Sequence, residues 1–108
     1  MPYTLGHMKT CPYLIEAIGI TIENLRRERK LTQTRLADFS ALEECYVRSI
    51  IKGRKNPSIL VIYSICGAMN ITLSDFFSRV DVEMKKLKVE ETKKPPDGED
   101  MENNTLLE

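Results

Sequence analysis

The chain has 108 residues, 42% of them hydrophobic, 30% charged and 6% aromatic, with no tryptophan, which suits one small aliphatic-cored domain plus a tail. No apolar run approaches the roughly 20 residues of a membrane span, and the N-terminus lacks the pattern of a secretory leader, so a cytoplasmic protein is expected. Sixteen basic and sixteen acidic side chains cancel overall, yet residues 9–79 carry eleven basic against seven acidic groups and residues 80–108 five against nine, an asymmetry that hints at nucleic-acid contact.

Residues 1–12 read as an N-terminal arm. Its His-Met pair at 7 and 8, like the closing Leu-Glu, has the look of a cloning scar, and no function attaches to His7, the sole histidine. From Tyr13 to Arg29, Leu14, Ile18, Ile22 and Leu25 recur at helical spacing, with "RRERK" (26–30) on the polar face. Thr32 is a suitable N-cap for a short second helix, "TQTRLADFS", expected to turn Leu36, Ala37 and Phe39 inward. Ala41 and Leu42 make a tight connection. "EECYVRSIIK" then reads as a third helix with Val47 and Ile50 on one face, stopped by Gly53.

"RKNPS" (54–58) is a basic loop in which Pro57 holds Asn56 extended and Ser58 caps a fourth helix, "ILVIYSICGAM", the most apolar stretch of the chain. Its expected core face is Ile59, Ile62, Cys66 and Met69. Asn70 ends it. Thr72 and Asp75 form a capping box for a fifth helix, with Leu73, Phe76 and Phe77 buried. The domain is thus expected over residues 13–80, with residues 81–91 either prolonging the last helix or packing back on the domain. Residues 92–108, with paired prolines, a glycine and many charges, read as a disordered acidic tail. The fold class is all-α, and the short turn between the second and third helices makes it a helix-turn-helix.

"LTQTRLADFSALEECYVRSIIKGRKNPS" resembles the Cro/repressor-type helix-turn-helix domain, the Xre family of bacterial and phage regulators. The matching residues are Arg26, "LTQ" at 31–33, "LA" at 36–37, Ser40, Leu42, Tyr46, Ile50, "G-x-x-NPS" from Gly53 to Ser58, and "ITLSDFF" at 71–77; the likeness covers about residues 18–78. It implies a five-helix, lambda-repressor-like fold and a sequence-specific DNA-binding transcriptional regulator. It further implies that the third helix enters the major groove and that Glu43, Glu44, Cys45, Arg48 and Ser49 meet base edges.

Physical chemistry supplies reasons for such an arrangement. A helix start with unpaired N–H groups suits a phosphate, so Thr32 and Gln33 at the second helix are candidates, as are Lys52, Arg54, Lys55 and the Asn56 amide beside the third. Taken singly, each cation is more often a solvated charge. A carboxylate accepts from cytosine N4 and is repelled by guanine, which makes Glu44, and less surely Glu43, candidate readers of C, and Arg48 or its neighbours candidate readers of G, at roughly 1–3 kcal/mol per good contact. The competing reading is structural: acids in a first helical turn stabilise it by roughly 0.3–1 kcal/mol through the dipole.

The chain departs from the family in two places. The resemblance implies a glutamate at position 51 as partner for Arg26, but residue 51 is Ile51, which leaves Arg26 for a phosphate or another carboxylate. The family often has polar residues at 60, 61 and 64, where this chain has Leu60, Val61 and Ser64. Leu60, Val61 and Tyr63, with Ile71, would then form an apolar outer face suited to a twofold homodimer on a near-palindromic operator, unless the segment after Val80 covers it.

Cys11, Cys45 and Cys66 are too few and too scattered for a disulfide framework or a metal site. Cys45 near a helix start admits a redox sensor, but a small side chain against a thymine methyl is the simpler role. Cys66 is read as core. The rival function is an antitoxin or other protein-interaction module, with the tail from Glu90 onward wrapping a protein partner. No enzyme is expected, and no cofactor or metal: the globular part has no histidine, no ligand cluster and no glycine-rich phosphate cradle. Double-stranded DNA is the expected partner.

Overall fold

The structure, a computed structural model, describes residues 12–93. The arm, including His7 and Cys11, and residues 94–108 of the expected tail lie outside the described residues. Five helices follow one another, with no strand among the described residues: α1 (Pro12–Glu28), α2 (Gln33–Ser40), α3 (Glu44–Ile51), α4 (Ile59–Ala68) and α5 (Leu73–Lys93). α1 starts at a proline, whose missing N–H is no loss in a first turn.

Side-chain caps fix three of the other starts. Thr32 Oγ1 accepts from the Arg35 N–H at 3.0 Å, Ser58 Oγ from the Val61 N–H at 3.2 Å, and Thr72 Oγ1 from the Asp75 N–H at 3.0 Å. Each such cap is worth about 1 kcal/mol. Left-handed residues close the turns after α1, α2 and α4: Lys30 at φ 58, Ala41 at φ 58 and Asn70 at φ 56.

α1 is the element on which the domain is assembled. It packs against α5 on one side and α3 on another, while α2 packs against α3 and α4. Ile22 and Leu25 of α1, Leu36 of α2, Val47 and Ile50 of α3, Ile62 and Ile65 of α4, and Phe76 of α5 are all fully buried. Gly19 sets how closely α1 and α3 approach, since a Cβ there would stand 2.3 Å from the Ile51 carbonyl oxygen and 2.7 Å from that of Ile50. At the far end of α1, Arg29 Nε donates to the Met69 carbonyl oxygen at 2.8 Å, tying the end of α1 to the end of α4. Arg79 on α5 pairs with Glu28 at 2.8 Å.

Several expectations need correction. Phe39 does not turn inward: it is 56% exposed, with the Arg35 guanidinium 5.5 Å above its ring. The inner face of α2 is instead Leu36, Ala37 and Ser40, and the Ser40 hydroxyl is buried at little cost because it donates to the Leu36 carbonyl oxygen at 2.7 Å. Ile59 is not core but 60% exposed, and Ile65, unassigned from sequence, is fully buried. α4 is apolar on nearly every side, so its own periodicity does not choose a face; packing selects Ile62, Ile65, Cys66 and Met69. Burial pushes the Cys66 thiol up to about 11, as fits a core cysteine.

Residues 81–93 do not fold over α4. They continue α5 without a break to Lys93, and Met84 and Leu87 pack on the core. Of the two partners expected for Arg26, a phosphate or another carboxylate, the structure supplies the carboxylate. Arg26 donates from Nη2 and Nε to the two Glu23 carboxylate oxygens at 2.6 and 3.0 Å, and from Nη1 to the Leu31 carbonyl oxygen at 2.6 Å.

Two predictions follow from this packing. Gly19→Ala should destabilise the fold by at least about 2 kcal/mol, because the obstructing atoms are backbone and cannot rotate away; chemical denaturation measures it. The Arg26 hydrogen bonds, with help from Arg27, hold the Glu23 carboxyl below its usual range despite partial burial. A lowered folded-state value means stability present above the ordinary carboxylate range and lost as pH falls through the lowered one. Glu23→Gln should therefore cost on the order of 1 kcal/mol at pH 7, and the difference from wild type should close towards about pH 2 in denaturation curves.

Candidate nucleic-acid interface

α3 is held to the body by Val47 and Ile50, and this fixes which side of it faces solvent. Cys45, Arg48, Ser49 and Lys52 recur at spacings of three and four along the opposite side; Cys45, Arg48 and Lys52 are exposed and Ser49 half-buried. Glu44 lies one turn before Arg48. The helix starts at Glu43, whose backbone is extended (φ −79, ψ 144) and whose carbonyl accepts from the Val47 N–H at 3.0 Å, but whose side chain makes no cap hydrogen bond. α3 therefore begins with unsatisfied N–H groups in a solvent-facing first turn.

The other candidate residues surround this stripe. Gln33 opens α2, and its Oε1 accepts from Arg48 Nε at 3.4 Å. Arg48 Nη2 also donates to Glu44 Oε2 at 2.9 Å. Gln33, Arg48 and Glu44 are thus joined across the two helices, a contact between residues expected to act separately. Thr32 is exposed and accepts the α2 cap bond, which leaves its O–H as a donor.

After α3, Gly53 at φ 74 reverses the chain and brings the Arg54 N–H to the Ser49 carbonyl oxygen at 2.9 Å. Lys52, Arg54, Lys55 and Asn56 are all exposed, the buried Pro57 anchoring the loop behind them. Lys52, Arg54 and Lys55 have no acidic partner among the described residues, unlike Arg26, Arg27, Arg48 and Arg79, which do. Cys45 is exposed, with Sγ 3.9 Å from Glu43 Oε1, and both Cys45 and Cys66 are free thiols. Among the described residues no group of three histidine, cysteine, aspartate or glutamate side chains is placed to hold a metal. No single helix among them is long and apolar enough to cross a membrane.

A second surface lies on α4. Leu60 is 74% and Tyr63 64% exposed, and Ile59, expected in the core, joins them at 60%. Val61 and Ile71 are only half-buried contributors. Beside Tyr63 runs a groove of about 530 Å³ lined by Ser64, Gly67, Asn70, Ile71, Thr72 and Leu73. Leu60 and Tyr63 were expected on this face from the sequence; Ile59 was the residue placed wrongly.

The helix-turn-helix family profile matches residues 22–76, from the middle of α1 into the first turn of α5. The chain belongs to the Xre-type helix-turn-helix family. That family is one of DNA-binding transcriptional regulators and not of enzymes. The domain is 39% identical over 57 residues to the immunity repressor protein of Bacillus phage phi105, an alignment that takes in 53% of this chain and only 40% of the repressor. The domain also superposes on the clp gene regulator ClgR of Corynebacterium glutamicum (TM-score 0.71, 25% identity, 73% of this chain and 84% of ClgR). A further neighbour is the restriction-modification controller protein C.Esp1396I, solved as a tetramer in complex with its natural 35 base-pair operator (TM-score 0.64, 25% identity, 67% of this chain and 95% of the controller).

The bare cap at the start of α3 yields a test of Glu43. If its side chain adds nothing to the helix start, Glu43→Ser supplies the missing acceptor and should stabilise the domain by about 0.5–1 kcal/mol in thermal or chemical denaturation. A loss of stability instead would mean that its charge holds the helix start through the dipole.

Proposed function

We propose that the chain is a transcriptional repressor or controller that binds operator DNA as a homodimer, with α3 in the major groove. The observation that carries this reading is the outward stripe of α3, polar along its length, flanked by the start of α2 on one side and on the other by Lys52, Arg54 and Lys55, which have no acidic partner among the described residues. In this reading Glu43, Glu44, Cys45, Arg48 and Ser49 face base edges. Thr32 and Gln33 hold one phosphate strand, and Lys52, Arg54, Lys55 and Asn56 hold the other. The operator complex of C.Esp1396I supports it by likeness.

The exposed Ile59, Leu60 and Tyr63 supply the twofold contact, since apolar area of this kind on a small domain marks a protein interface. Two copies joined there place their reading helices about one DNA turn, roughly 34 Å, apart on a near-palindromic site.

Site selection from a random DNA pool should return an inverted repeat. A pool with no enriched sequence would refute the reading and favour a protein partner. Arg54→Ala should weaken binding to every sequence alike and lower the slope of log affinity against log salt by about 1 per protomer. Leu60→Glu, at a side chain that hardly touches its own domain, should leave the melting temperature within a few degrees while shifting sedimentation to the monomer. Operator affinity at a given protein concentration should fall with it, to that of a single half-site.

A further inference from the structure

Two bonds hold the Arg48 guanidinium, and their placement on that planar group matters. Nε donates to Gln33 Oε1 at 3.4 Å and Nη2 to Glu44 Oε2 at 2.9 Å. Both lie along the edge that carries the Nε–H and the outer Nη2–H. The other edge, made of Nη1 and the inner Nη2–H, has no partner among the described residues. That free edge is the end-on pair of donors which fits the O6 and N7 acceptors of guanine. Gln33 enters the contact through its carbonyl oxygen, so its two amide N–H donors remain for a phosphate.

We propose that Glu44 and Gln33 are positioning residues for Arg48, and that Arg48 alone among the three selects a base, a guanine. The inference rests on the DNA-reading role of α3 proposed above and assigns the work within it. Glu44 then makes no cytosine contact of its own; its carboxylate is occupied in aiming the guanidinium. An arginine on an exposed helix face samples several rotamers, and one already fixed in its reading geometry loses less freedom on meeting the base. Acid before base at a spacing of four is the favourable order on a helix. Entry into the groove strips water from the pair and strengthens it relative to the free protein. Because Gln33 opens α2, the same guanidinium also links the hold on the backbone to the choice of base.

The experiment takes the wild-type site from the random pool and measures binding to it and to duplexes changed one base pair at a time. Wild type, Glu44→Gln, Gln33→Ala, Arg48→Lys and the Glu44→Gln/Arg48→Lys double variant are compared. Arg48→Lys should erase a guanine preference at one position per half-site. Glu44→Gln and Gln33→Ala should each reduce the preference at that same position by at least about fivefold. The double variant should discriminate no worse than Arg48→Lys alone. The proposal is overturned if Glu44→Gln leaves that guanine preference intact, or removes a cytosine preference elsewhere, or adds its full loss to that of Arg48→Lys. A wild-type protein that selects no site would bring down the DNA-reading role of α3 itself; a selected site with an unchanged guanine preference in Glu44→Gln would bring down only the positioning roles.

Discussion

The contact between α1 and α3 at Gly19 is the constraint on which the rest of the molecule depends. With no side chain at that position, α1 comes against the Ile50 and Ile51 carbonyls, and Val47 and Ile50 can reach the core. Once those two are buried, the orientation of an eight-residue helix about its own axis is settled. Everything polar on α3 then faces one way. Such a short helix has little stability of its own, so its outward face is a product of tertiary packing.

The charges are distributed to match. The overall count of zero conceals a body whose arginines are divided between two kinds of work. Arg26, Arg29 and Arg79 serve the fold, holding a carboxylate and a loop carbonyl, the end of α4, and the end of α1 respectively. The side chains of Lys52, Arg54 and Lys55 make no ion pair among the described residues. Cations left without partners beside a solvent-facing helix constitute an electrostatic surface in a way that the total charge cannot reveal.

Much of this was legible in the sequence because the helix boundaries are written in local chemistry. Thr32, Ser58 and Thr72 announce starts, and Gly53 and Asn70 announce stops; each signal acts within a few residues of itself. The outer side of α3 was legible too, given Val47 and Ile50. What could not be read was decided by which of several available faces and partners the packing selects. Phe39 was misplaced because Ser40 can hide its hydroxyl on its own helix, and Ile59 because α4 offers apolar side chains in almost every direction. Arg26 had several conceivable partners, and the folded α1 puts Glu23 within reach of its Nε and Nη2. The Glu44–Arg48 spacing was visible in the text, but the approach of Gln33 to Arg48 requires two helices to be set beside each other.

The bond from Arg29 to the Met69 carbonyl has a consequence for the spacing of DNA half-sites. It fastens the far end of α4, the helix whose first turns carry the proposed twofold contact, to the same α1 that packs against α3. In the proposed homodimer, the α4 contact and α3 are then both attached to α1. Inserting a single base pair between half-sites turns one about 34° relative to the other, given 10.5 base pairs per helical turn. In the proposed homodimer that rotation is met by twist in the duplex, by a shift at the twofold contact, or by release of one half-site.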